Sequence, residues 1–335
     1  MPDHLTFGYL YDFRNPVPFR RPWTDVYAET LDMVAWTESL GFGGAWVAEH
    51  HCAEDGYLPS PLVALGAMAA RTSRIIIGTA VALAPLYHPV RFAEDCAVLD
   101  ILARGRLEMA LAIGYRRRET EAYGVDFTKR GSRFDEFLQI VQPLWAGETV
   151  SFEGKHFSVS NARIVPSALN QRIPLFIGGF ADKAMERIAK YADGYFGNED
   201  SCAPYLRKLE AQGKDPASGR IRLTELFLTV AHDPDRAMDE LAPYYHYVNN
   251  SYGEWANEDK AVGVEDGLKP MSLDEFKASG TLKILTPEAA IAKFRSLRER
   301  MPVEHIMMMM PAGMPVEIFR RQAQLFADEV LPAFA

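Results

Sequence analysis

The chain has 335 residues, 48% hydrophobic and 24% charged, with 36 Lys and Arg against 45 Asp and Glu for a formal net charge of −9. That balance excludes a disordered, collagen-like or low-complexity chain. It also lacks the basic footprint that binding to nucleic acid or an anionic membrane requires. The three cysteines, Cys52, Cys96 and Cys202, are far apart with no CxxC pair, which excludes a disulfide scaffold and a Cys-rich zinc site and suits a reducing cytoplasm. Met1-Pro2-Asp3-His4 is not the basic start of a signal peptide, and the longest apolar run, Ile75–Pro85, is about half a bilayer span. The expectation is a cytoplasmic protein with no membrane, nucleic-acid or metal partner.

Strand-like and helical segments alternate along the whole chain, as one domain over 1–335. Leu5–Tyr11 reads as a strand, and Asp25–Ser39 as an amphipathic helix ended by Gly41. Ala45–Ala48 is a short buried strand, and Ser60-Pro61 opens a helix with an N-cap and a first-turn proline. Ile75–Leu83 is a third strand and Val90–Leu102 a helix; Leu107–Ile113 is a fourth strand and Arg133–Trp145 the next helix. Val150–Val159 reads as a hairpin excursion turning at Glu153–Lys155. Strands follow at Pro174–Ile177, Gly194–Phe196, Ile221–Val230 and Val303–Met310, with helices at Asp182–Tyr191, Pro234–Trp255, from Thr286-Pro287, and at Pro315–Phe326. Eight strands in alternation with helices predict an α/β protein, a (β/α)8 TIM barrel with insertions. Ala256–Gly280, polar and glycine-containing, is expected to be a long mobile insertion after the helix that follows strand seven.

In a barrel the C-terminal strand ends carry the chemistry. Glu49-His50-His51 follows strand two, and a histidine there suits general acid/base work, with a packing role as the alternative. Adjacent residues on a strand end diverge, and no HExxH accompanies them, so metal binding is not expected. Gly78-Thr79-Ala80-Val81 offers a flat surface to a planar ligand. Gly114-Tyr115-Arg116-Arg117-Arg118 combines close backbone approach, a ring and cations, or is simply a glycine turn before a solvated helix start. Gly178-Gly179-Phe180-Ala181-Asp182, between a strand and a helix, is a generic anion site. Phe13, Trp23, Trp46 and Met314 hint at an apolar substrate.

Taken in order, these segments resemble the bacterial luciferase-like family of flavin-dependent oxidoreductases over nearly the whole chain. Pro59-Ser60-Pro61, Ala70–Ile75, His88–Asp95, Gly105-Arg106-Leu107, Tyr123-Gly124-Val125 and Ala192-Asp193-Gly194 add to the match. The resemblance implies reduced FMN used with O2, delivered by a separate flavin reductase. His50 matches the active-site histidine that acts on a flavin peroxide, and Ala80-Val81 matches a non-proline cis peptide behind the flavin ring. Gly114, Tyr115, Gly178, Gly179, Phe180 and Ala181 match segments lining the flavin and its phosphate tail. Tyr244, His246 and Tyr247 resemble the substrate-side segment, with an interfacial aromatic stripe as the alternative.

Two departures stand out. An arginine common before the Gly114 position is Ile113 here, and the usual Gly-Gly-x-Ser turn ends in Ala181. Lys183 or Arg116–Arg118 would have to replace the lost charge, so oxidised FMN is expected to be held weakly. The function this implies is a two-component monooxygenase acting on a small apolar organic substrate, by carbonyl oxidation, Baeyer–Villiger insertion or hydroxylation. The alternatives are a deazaflavin-dependent hydride-transfer oxidoreductase and a non-catalytic, flavin-binding partner subunit. The resemblance also implies a homodimer packed through the helices around Ser60–Ala70 and Phe92–Leu102.

Overall fold

A computed structural model describes residues 4–259 and 269–335. Eight parallel strands close on themselves: β1 (Thr6–Tyr11), β2 (Gly44–Val47), β3 (Ile76–Thr79), β4 (Leu107–Ala112), β5 (Leu175–Ile177), β6 (Gly194–Gly197), β7 (Ile221–Thr224) and β8 (Val303–Met310). The seam joins β8 to β1 with Phe7 opposite Ile306 and Tyr11 opposite Met310. The surrounding helices are α1 (Trp23–Ser39), α2 (Pro61–Arg71), α3 (Pro89–Leu102), α4 (Arg117–Ala122), α5 (Arg130–Trp145), α6 (Asp182–Tyr191), α7 (Cys202–Ala211), α8 (Pro234–Asp259), α9 (Leu273–Ala278), α10 (Pro287–Arg300) and α11 (Val316–Glu329). Prolines 61 and 89 stand at the first helical position, where the missing N–H costs nothing. The methionine run lies in β8, buried on both faces between the barrel interior and the helix layer.

Three expected elements differ. The third strand is interrupted: Ile76–Thr79 and the short Ala82–Leu83 flank a cis Ala80–Val81 peptide. The seventh ends at Thr224, because the chain turns at Glu225 and Leu228–Val230 leaves the barrel to pair with Lys283–Leu285. The stretch expected to be one long loop contains the end of α8 and all of α9, which a Ser272–Glu275 capping box starts. Residues 260–268 of that stretch lie outside the described residues. The hairpin forms as expected, Val150–Glu153 against Ser158–Ala162.

Below the strand ends the barrel interior holds a buried polar layer among apolar side chains. Trp46 lies here, so it does not line a substrate mouth. Its Nε1–H donates to His305 Nε2 at 3.0 Å, which leaves the ring proton on Nδ1, 2.8 Å from Thr6 Oγ1. Burial, helped by the charge of Arg222, pushes His305 well below the usual histidine range. The fold therefore excludes a proton that the unfolded chain takes up. His305 contributes fully above its unfolded value, about 6.5, and that contribution falls by up to roughly tenfold in the folding equilibrium per pH unit below it. Urea denaturation at pH 7.5, 6.5 and 5.5 should show this loss, and His305→Gln should flatten it. An equal slope in the variant would exclude His305 as its source.

Candidate active site

The Glu49-His50-His51 strand end divides its side chains as alternation requires. Glu49 accepts hydrogen bonds from His51 Nε2 (2.8 Å), the Tyr87 hydroxyl (2.8 Å) and the Leu83 N–H (2.7 Å). His51 Nδ1 lies 2.9 Å from the Tyr123 hydroxyl. This side holds the loop after β3 in place. His50 points elsewhere, into a ring of aromatic side chains: Tyr57 (centroids 4.6 Å apart), Trp255 (5.0 Å), Tyr115 (5.7 Å) and Tyr252 (6.0 Å).

Glu119 of α4 sets the state of His50. Its Oε1 lies 2.8 Å from His50 Nδ1 and also accepts from the His51 N–H (2.9 Å) and Arg116 (3.2 Å). Burial alone would raise this carboxyl, but His50, the His51 N–H and Arg116 outweigh it and hold it below the usual range. A carboxylate only accepts, so Nδ1 is the donor, and Nε2 is the ring nitrogen without a hydrogen-bond partner among the described residues. Arg116 is buried here, its guanidinium 4.1 Å from the Trp255 ring centre and one nitrogen on the His51 carbonyl. It is therefore committed to this dyad and does not replace the arginine lost at Ile113.

A second cation lies close by. Arg14, past the end of β1, grips Asp12 through Nε and Nη2 and stands 3.7 Å from Asp55. Its guanidinium lies 4.5 Å from the Tyr57 ring centre and 5.7 Å from those of Tyr247 and Tyr252. The Tyr57 and Tyr252 hydroxyls meet at 2.6 Å, and Tyr247 donates to Asp55 at 2.7 Å. Of the three α8 residues expected on the substrate side, only Tyr247 joins this cluster. Tyr244, on the same face but about three turns before Trp255, packs on Phe19, whereas His246, turned about 100° from Tyr247, bonds the Met271 carbonyl and faces Phe276.

The segments expected to line a flavin are neighbours. A Cβ on Gly178 would lie 3.4 Å from Val81, and one on Gly114 would lie 3.5 Å from Leu83. Gly114 has φ +74°, which a side chain disfavours. Gly179, Phe180 and Ala181 continue to the start of α6, where Phe180 and Lys183 are exposed. Beside Gly114 sits Arg130, half-buried, donating to the Gly114 carbonyl (3.0 Å) and the Phe127 carbonyl (2.6 Å). It has no carboxylate partner among the described residues. Burial and the charge of Arg117 lower its pKa. A cation supplied with two carbonyls and the Phe127 ring centre 3.7 Å away, next to an open glycine edge, fits an anionic ligand.

A family model described as luciferase-like monooxygenase matches residues 5–304. The chain belongs to that family. Relatives within it are divided in cofactor. The F420-dependent glucose-6-phosphate dehydrogenase of Beutenbergia cavernae is 28% identical over 90% of this chain and 92% of its own length. The oxygenase component of the flavin-dependent trigonelline monooxygenase of Acinetobacter baylyi is 22% identical over 92% and 90%. A 32% identical match, to the F420-dependent glucose-6-phosphate dehydrogenase of Microbacterium testaceum, spans only about half of each chain, 56% of this one and 54% of the relative. Monooxygenase RslO1 from Streptomyces bottropensis shares the fold, with a TM-score of 0.81 and 24% identity over 99% of this chain and all of that one.

Several residues of this candidate site were not apparent in the sequence. Glu119, Asp12, Arg14 and Asp55 carry no motif signal of a role in the sequence, and Arg116 reads there as a phosphate cation or as part of a solvated helix start. The one available signal was position: all follow β1, β2 or β4, on the catalytic face of a barrel. Among the described residues no group of three or more His, Cys, Asp or Glu side chains could hold a metal, and no helix is long and apolar enough to cross a membrane.

Proposed function

We propose that this chain is the oxygenating component of a two-component monooxygenase that takes reduced FMN and O2 and oxidises an apolar carbonyl compound. The observation that carries it is the aromatic enclosure of His50. Tyr57, Tyr115, Tyr252 and Trp255 shield the histidine and offer stacking and apolar contact, which suits an apolar substrate better than a sugar phosphate. Reduced FMN, when bound, supplies the two electrons with which one oxygen atom enters the substrate and the other leaves as water. Gly114, Gly178 and the Ala80–Val81 edge would admit its ring, Arg130 and the start of α6 its phosphate. His50 Nε2 accepts or returns a proton at the reacting oxygen, while Glu119 fixes its tautomer. A separate reductase would supply the flavin, and the exposed Val63, Val98 and Leu102 of α2 and α3 would be covered in a homodimer.

Rapid mixing of the protein and anaerobically reduced FMN with oxygenated buffer tests this reading. A long-lived absorbance transient before oxidised flavin appears is the expected result; reoxidation at the rate of free flavin overturns it. The second reading is hydride transfer with a deazaflavin, favoured by the F420-dependent relatives. It predicts reduction of added F420 by an alcohol, with no oxygen consumed. In either case Arg130→Ala should weaken cofactor binding roughly ten- to a hundredfold, by loss of a charged contact. Anaerobic titration with reduced FMN measures this, and unchanged affinity would remove Arg130 from the phosphate site.

A further inference from the structure

Buried polar atoms in folded proteins are almost always paired, so a cluster of exceptions marks a place where a ligand completes the set. Three such atoms gather around His50: Arg14 Nη1, Tyr115 Oη and Glu119 Oε2 have no hydrogen-bond partner among the described residues. Glu119 is accounted for by its hold on His50 through the other oxygen. Arg14 is not, because its Nε and Nη2 are committed to Asp12 while Nη1 reaches only to 3.7 Å from Asp55. The guanidinium is fully buried, and Tyr57 and Tyr252 touch both it and the His50 ring. Arg14 also acts electrostatically on the Tyr115 phenol, which burial pushes well above its usual value and so keeps protonated, a donor.

We propose that Arg14 determines substrate specificity, its Nη1 and the Tyr115 hydroxyl together receiving the carbonyl oxygen of an uncharged substrate. Its apolar body would lie among Tyr57, Tyr252 and Trp255. Arg14 carries one positive charge beside two carboxylates, Asp12 and Asp55, so a carboxylate ligand meets net repulsion while a carbonyl needs only the free donors. The inference rests on the carbonyl-oxidising reading above, naming the group that orients its substrate.

The test is ligand-observed NMR on the flavin-free protein with three probes of one shape: cyclohexanone, cyclohexanecarboxylate and methylcyclohexane. Cyclohexanone should bind about tenfold tighter than either of the others. Tyr115→Phe removes a hydroxyl that has no partner, so the variant should melt at the same or a higher temperature yet bind cyclohexanone several-fold more weakly. Arg14→Lys keeps the charge without the fork and should bring the three probes to within about twofold of one another. If Arg14→Lys does not fold, Tyr115→Phe decides alone. Absence of cyclohexanone binding, or a preference unchanged in the variants, overturns the proposal. Because the readout needs no flavin, a ketone preference without an oxygen-reaction transient would sink the monooxygenase reading alone. A transient without the preference would sink only the role of Arg14.

Discussion

A His50→Ala chain should bind reduced FMN nearly as well as the natural one and form product about 10²- to 10⁴-fold more slowly, the range for loss of a positioned general acid/base. Binding survives because the residues assigned to the cofactor sit after β3, β4 and β5, whereas His50 follows β2. Oxygenation should fall because the ring nitrogen proposed to move the proton is the one that the Glu119 contact on Nδ1 leaves open. Glu119→Gln keeps the shape but no longer requires Nδ1 to be the donor, so it should lower kcat by a smaller factor and shift the pH profile of kcat. Anaerobic FMN titration and product yield per reduced flavin separate the two effects. Equal product yield from the alanine variant would falsify the assignment.

Replacing Arg222 by Met should cost about 3–5 kcal/mol, the usual result of removing one partner from a buried ion pair. Arg222 donates to both oxygens of Glu108 across the barrel interior, at 2.9 and 2.8 Å, and also reaches Glu304. Glu304 keeps Arg220 in the variant, but Glu108 is left as a buried carboxylate with no partner. Adding Glu108→Leu to Arg222→Met should recover much of the loss, since a hydrophobic replacement of a whole buried pair is often close to neutral. Urea denaturation of the two single variants and the double gives the coupling. A loss below about 1 kcal/mol in Arg222→Met would show that water or a shifted side chain satisfies Glu108.

The barrel itself was legible because each strand writes its own signature locally. Ile75–Leu83 and the β8 run are apolar stretches too short for helices, and Ser60-Pro61 and Thr286-Pro287 announce helix starts by a first-turn proline, joined at the second by the Thr286 side-chain cap. Interruptions were harder to read. Nothing in the composition of Ile221–Val230 tells that Glu225 turns the chain and sends Leu228–Val230 out to pair with Lys283–Leu285. A strand that changes partners keeps the same residue types, and the choice belongs to residues dozens of positions away.

At the site the division follows the same physics. By itself the sequence determined the fold class and nominated His50, Gly114 and Gly178 at strand ends as site candidates, because turn glycines and strand periodicity are local properties. Tertiary structure alone decided that Glu119, 69 positions on, grips His50. It also decided that Arg116 serves this dyad, that Arg130 lies against the Gly114 carbonyl, and that Tyr252 and Trp255 surround His50 while Tyr244 and His246 pack elsewhere. These are pairings between separate elements, fixed by where a closed barrel brings its loops, and a hydrogen bond across such a distance leaves no mark on either residue's neighbours in sequence.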